Sequence, residues 1–485
     1  MNRPAPRTLA IALIPVVLFL CAFSCDVPIV PAYQIVGESR ELHFVPTGSP
    51  TLHIIGRFKL QNTGNSDLTF VDVTLPEEKV FGLQNVRMEL DGREIAPENI
   101  PEEYQQDNPN AVRIPFSPPW QRKKSLELVV EYDLVSPQDT GSRITLGDDE
   151  FHLGSRGWFP VLQPPKHVLS PFPKRPKVTP YIIRVPSNFL VLARGAPKGR
   201  KQGGGETEYR FALLQGDLPP YVIAGNYVES PAQRAPDLAT FWTLKPLPSS
   251  PQDAAVQIAQ AWAILEKDFG PLDRNMAAPH VVESPELRGH TSEDEPGPAA
   301  AAFPGGVLVN PAALALGIDS DQFLQLVTHS LAHDWFGDEM YPAPDAALGL
   351  GEGLPEYATI VIDKARNGAA ARRERIQRFL REYDEARKSA DEKALGITML
   401  TDSPGQRRIA LAKAALFFVA LEDACGAEAM QSGLKQMVEL LRDQEASYDS
   451  LRSALEEASG KNLAELFRVW LNQKGIPQDF RERYQ

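Results

Sequence analysis

From about Tyr33 to Ser230, apolar and polar positions alternate along the chain. Leu52, Ile54, Phe58 and Leu60 interleave with His53, Arg57, Lys59 and Gln61; Leu126, Leu128, Val130 and Tyr132 interleave with Ser125, Glu127 and Glu131. A period of two puts one face of a strand in a core and the other in water, as in an antiparallel sheet with one wet side. Turn signals such as Asn62-Thr63-Gly64-Asn65 and Asp91-Gly92 separate the runs. This half is predicted to be an antiparallel β-sandwich or saddle. The proline-rich stretch Pro160–Pro186 is expected to cross between its sheets, because proline has no N–H for a central strand.

After a loose segment at Pro231–Pro251 the period changes. Ala254–Phe269 predicts a helix closed by Gly270-Pro271, and His280–Glu283 and Val307–Val309 predict short strands. Beyond Asp319 the pattern is helical. Phe323, Leu326, Val327 and Leu331 fall on one face behind a cap at Asp319 or Ser320, with Gly337 as the expected stop. The run Ala371–Lys393 alternates in sign, as a solvated helix face does. The expected organisation is a leader over 1–24, a β domain over 25–232 and a mainly helical domain over 233–485.

The leader is read from Arg3 and Arg7, the apolar run Leu9–Phe23 and the small residue Ser24 ahead of Cys25. The apolar run is shorter than the roughly 20 residues of a spanning helix, and Pro15 interrupts it. Ala22-Phe23-Ser24-Cys25 resembles a bacterial lipobox, which implies lipidation and membrane attachment at Cys25. Export to a bacterial periplasm or cell envelope is expected, either as a lipoprotein anchored at Cys25, as a freely secreted form without lipid, or with an uncleaved N-terminal anchor. With Cys21 in the leader and Cys25 at the cleavage point, Cys425 is left as a small buried hydrophobe, and stability must come from core burial. A net charge of −13 argues against a nucleic-acid partner, since there is no broad cationic surface to release counterions.

Chemistry concentrates at one place. Among eight histidines, one pair lies four residues apart, His329 and His333, a spacing that puts both imidazoles on one helix face. Nineteen positions beyond His333 stands Glu352, in Gly351-Glu352-Gly353-Leu354-Pro355-Glu356. Two histidines and a carboxylate hold zinc while leaving a fourth position open, the pattern of catalytic zinc. The glycines and Pro355 predict a helix that starts near Leu354, with Glu352 just ahead of it. Asp334 and Glu356 are candidates to orient the ligands from behind.

Thr328-His329-Ser330-Leu331-Ala332-His333-Asp334-Trp335-Phe336-Gly337, together with Glu352-Gly353, resembles the gluzincin zinc aminopeptidases, of the membrane alanyl aminopeptidase kind. Trp158-Phe159-Pro160 and Tyr221–Tyr227 resemble landmarks of that family's N-terminal β domain, and Trp470–Pro477 the end of its thermolysin-like helical domain. The resemblance implies one zinc ion on His329, His333 and Glu352. It also implies three departures. Ser330 stands where the family has its general-base Glu, Ala302 where a Glu holds the substrate's amino group, and Leu411 where a Tyr stabilises the oxyanion. A serine hydroxyl does not accept a proton from zinc-bound water near neutral pH.

Three readings follow. The first is a pseudopeptidase that keeps the zinc ligands and binds a peptide or an envelope protein in the cleft. The second is an active zinc hydrolase with Asp334 or Glu356 as substitute base. The third is a structural envelope lipoprotein without metal.

Overall fold

The alternating run around Leu52–Leu60 is one strand, Thr51–Asn62, paired along its length with Tyr33–Val45 on one side and Ser125–Val135 on the other. Its even positions are buried and its odd ones face out, as the period of two requires. Leu42, Leu52, Ile54, Phe58, Leu60, Leu128, Val130 and Tyr132 all pack into one core. These strands are the middle of an eight-stranded sheet, joined by two four-stranded sheets. The computed structural model describes residues 31–46, 49–76, 82–100, 110–135, 144–154, 157–163, 173–215, 221–231, 238–272, 279–285, 287 and 297–485. The expected leader and Cys25 lie outside the described residues.

Two sequence expectations need correction here. The large sheet is mixed rather than antiparallel, because Tyr33–Val45 pairs in parallel with Val178–Pro186. The chain leaves this sheet after Ser125–Val135, runs through the smaller ones and re-enters beside its own first strand in the same direction, as a crossover allows. The proline-rich stretch does cross between sheets, from Val161–Gln163 to Val178–Pro186, but it ends as a central strand. Pro180 is tolerated because the parallel pairing with residues 40–43 begins only at Tyr181.

A five-stranded sheet follows, in the order Val228–Ser230, Thr240–Thr243, His280–Glu283, Gly306–Val309 and, at the edge, Ala300–Phe303. Its central strands are parallel, and both faces are covered, which explains their continuous apolar runs. Phe241, Val281, Val307 and Val309 face the helices; Trp242, Val282 and Leu308 face Tyr221 and Ile223 of the strand region Val222–Gly225 and its approach. Ser284 Oγ donates to Glu150 Oε1 at 3.2 Å across the same boundary, and Thr145 Oγ1 donates to Glu150 Oε2 at 3.0 Å.

The helices used below are α1 (Gln252–Phe269), α2 (Asp321–His333), α3 (Gly353–Ala386), α4 (Pro404–Cys425), α5 (Ala427–Leu440) and α6 (Tyr448–Ser459). The Ala371–Lys393 run falls largely on α3, where Arg373, Glu374, Arg378 and Arg381 are exposed while Ile376, Phe379 and Tyr383 are buried. Cys425 is a buried free thiol at the end of α4. No helix among the described residues is long and apolar enough to cross a membrane.

Candidate metal centre

Ser320 caps α2, its hydroxyl accepting from Phe323 N. Phe323, Val327 and Leu331 face the core, which leaves His329 and His333 on the opposite, partly open side. The chain does not stop at Gly337 as expected. It continues through the wide turn Asp334–Glu339, held by Trp335 and Phe336. Trp335 is fully buried, packs on Trp262 and Phe269, and donates from Nε1 to Gly270 O at 2.8 Å. The aromatic pair after His333 is thus an anchor that locks the end of α2 onto α1.

Glu352 closes a second wide turn, Ala347–Glu352, immediately before α3. The alternate glycines around it are close-approach positions. A Cβ on Gly349 would run into the Tyr448 hydroxyl, one on Gly351 would meet Pro342 at 3.0 Å, and one on Gly353 would meet Ala414 at 2.6 Å. Elements from α6, the strand Tyr341–Pro342 and α4 therefore clamp the segment that carries Glu352. Sequence reasoning missed this clamp; its signal was the two-residue spacing of the glycines.

The three candidate ligands converge. His329 Nε2 is 3.3 Å from His333 Nε2 and 3.4 Å from Glu352 Oε2, and His333 Nε2 is 3.5 Å from Glu352 Oε2. Donor atoms about 2.0–2.2 Å from one tetrahedral ion stand about 3.3–3.6 Å apart, so this triangle fits zinc. Their side chains are 21%, 23% and 35% exposed, which leaves the open side facing solvent. Electrostatics agree. Burial alone would push the His329 imidazole down, but Glu356 and Glu352 outweigh it and hold it up at about 10. Burial would raise Glu352, yet His333 and His329 keep it well below the usual carboxylate range. The carboxylates thus set a negative field at the imidazoles, and a metal ion bound there would take the place of that proton.

The remaining sequence candidates are placed as follows. Glu356 Oε1 lies 3.4 Å from His329 Nδ1, behind the ring. Asp334, a candidate to orient the ligands or act as substitute base, is fully buried, and its Oδ2 accepts from Gly305 N at 3.0 Å. It ties the end of α2 to the turn after the edge strand and is sealed from the cleft. Ser330 is also buried. Ala302 lies on the edge strand opposite Val307, on the same face as Ala300, which packs toward the helices. Leu411 stands one turn before Ala414 on α4, the residue that touches Gly353. The positions of Ala302 and Leu411 thus sit on the two elements that flank the triad.

Residues 302–470 match the description "Peptidase family M1 domain". This segment is a peptidase family M1 domain. The M1 domain carries the candidate ligand set and also Ala302, Ser330 and Leu411. The chain is 26% identical over 166 residues to aminopeptidase N of Lactobacillus delbrueckii subsp. lactis, a match covering 31% of this chain and 19% of that protein. It therefore spans about a fifth of the curated relative's length. Its fold is similar to that of the M1 zinc metallopeptidase of Deinococcus radiodurans, with a TM-score of 0.62 at 16% identity over 92% of this chain and 95% of that one. Aminopeptidase A of Legionella pneumophila, solved with aspartic acid, is similar with a TM-score of 0.59 at 16% identity, over 92% of this chain and 50% of that one. The two-part architecture of sheets followed by a helical M1 domain is shared with these structures.

Proposed function

We propose that this chain is an exported, zinc-binding relative of the M1 aminopeptidases whose cleft binds a peptide or an envelope protein and hydrolyses it poorly or not at all. His329, His333 and Glu352 would hold the ion. When bound there, zinc would acidify a water and polarise a carbonyl. The observation that carries the reading is the position of the carboxylates around His329. Glu356 faces Nδ1, the ring edge away from the nitrogen that meets Glu352, and so orients the imidazole rather than reaching the open side. Asp334 is sealed on Gly305 N, and Ser330 supplies no base. Loss of a positioned base costs on the order of 10²–10⁴-fold. Ala302 and Leu411 add the absence of a charged anchor and of a hydroxyl donor on the flanking elements.

In this proposal residues 25–232 form the β domain and 233–485 the peptidase-like domain, delivered to the envelope by the 1–24 leader with Cys25 as the site of lipid attachment. A second reading, an active hydrolase with Glu356 as base, draws on the 27% exposure of that side chain. The deciding experiment is metal analysis and turnover of aminoacyl chromogenic substrates on one purified sample. About one zinc per chain with little turnover is expected. Robust turnover abolished by His329→Ala would overturn the proposal in favour of the second reading, and near-zero metal would favour a purely structural lipoprotein.

A further inference from the structure

Away from the metal ligands, α1, α3, α4 and α5 border a cavity of about 350 Å³, within the rough 300–1,000 Å³ range of small-molecule pockets. Its floor is apolar: Phe269, Val361, Met430 and Leu434. Three carboxylates line it, and they differ. Glu422 is saturated, accepting from Lys364 Nζ at 3.0 Å, from Arg372 at 2.9 Å and from the Tyr357 hydroxyl at 3.1 Å. That pairing uses Lys364, the one cation in the lining. Asp268, at the end of α1, accepts among the described residues only from Gln431 Nε2, at 2.5 Å. Glu428, in the first turn of α5, is exposed. Neither Asp268 nor Glu428 has a cation within ion-pair distance among the described residues.

The cavity therefore joins an apolar floor to two carboxylates, one on α1 and one on α5, that have no ion-pair partner among the described residues. A second cavity of about 610 Å³ shares Lys364, Glu422 and Ala427 and is lined beyond them by Arg372, Arg373, Asp423 and Tyr484, among others. The first cavity's lining carries Asp268, Glu422 and Glu428 against Lys364 alone and is net acidic, whereas cations and carboxylates nearly balance in the second, so a ligand's positive charge is favoured in the first.

We propose that the 350 Å³ cavity binds a molecule combining an apolar body with a protonated amine, the apolar part on Phe269, Val361, Met430 and Leu434 and the ammonium between Asp268 and Glu428. The ligand lies apart from the metal centre, since none of His329, His333 and Glu352 lines the cavity.

The test is calorimetric titration of the purified chain with L-leucinamide. Saturable 1:1 binding is expected, at least tenfold tighter than that of 4-methylpentanamide, which keeps the shape without the charge. The pair Asp268→Asn with Glu428→Gln is expected to weaken leucinamide at least tenfold, and Ala365→Trp, at the exposed mouth, should do the same. His333→Ala should leave the Kd within twofold, because the site owes nothing to the metal. Leucyl-glycyl-glycinamide binding more tightly than leucinamide would assign peptide N-termini as the ligand, and the reverse order a free amine. Absence of saturable leucinamide binding, indifference to the carboxamide pair, or loss of binding in His333→Ala would each overturn the proposal. Should Ala365→Trp fail to fold, the two surface carboxamide changes decide alone.

Discussion

Glu356 Oε1 stands 3.4 Å from Nδ1 of His329, while Nε2 of the same ring stands 3.4 Å from Glu352 Oε2. One imidazole is thus held between two carboxylates one helical turn apart. The rear contact fixes which nitrogen is free to meet a metal, and it strengthens that nitrogen as a donor.

Glu356→Gln should therefore weaken zinc binding on the order of 10–100-fold, the usual cost of losing such a rear partner. Zinc affinity measured by competition with a chelating dye checks this, independently of any activity. An unchanged affinity would mean that Glu356 merely shares the rim of the cleft.

Restoring a base should not restore an aminopeptidase. Ser330→Glu is expected to yield at most weak and unselective hydrolysis, because Ala302 and Leu411 stay silent and groups that act as a unit contribute non-additively. The triple change with Ala302→Glu and Leu411→Tyr should exceed the single one in turnover of aminoacyl chromogenic substrates. Equal or lower turnover in the triple variant would show that these positions do not face the triad.

Gly349 is predicted to be intolerant of even one methyl group, since its Cα lies under the Tyr448 hydroxyl. Overpacking of this kind costs typically about 1–3 kcal/mol. Gly349→Ala should lower the melting temperature and, by shifting the segment before Glu352, also loosen zinc. Tyr448→Phe in the same chain should recover part of both losses. No recovery would place the conflict elsewhere.

Processing is expected immediately before Cys25, outside the described residues. Mass spectrometry of the native protein should find no peptide from residues 1–24, with Cys25 as the first residue and carrying lipid. An intact N-terminus recovered from the cytosol would refute this.

The chain alone determined what depends on local period and spacing. Alternation at Leu52–Leu60 specified a strand with one buried face, helical spacing from Phe323 to Leu331 specified α2, and a four-residue interval put His329 and His333 on one side of it. Even Glu352 was legible, from residue type, glycine neighbours and a known pattern of separation. Only tertiary structure decided what depends on which elements meet. The parallel pairing of Tyr33–Val45 with Val178–Pro186 joins positions far apart in the chain, and no local period encodes direction. The split fate of two similar candidates was equally invisible. Glu356 faces an imidazole, whereas Asp334 is buried on a backbone N–H, because the wide turn after His333 rolls Asp334 under the sheet edge. The glycines that read as helix breakers are instead the places where α6, α4 and Pro342 press against the Glu352 segment, and that pressure brings a third candidate ligand to the two that the helix had already aligned.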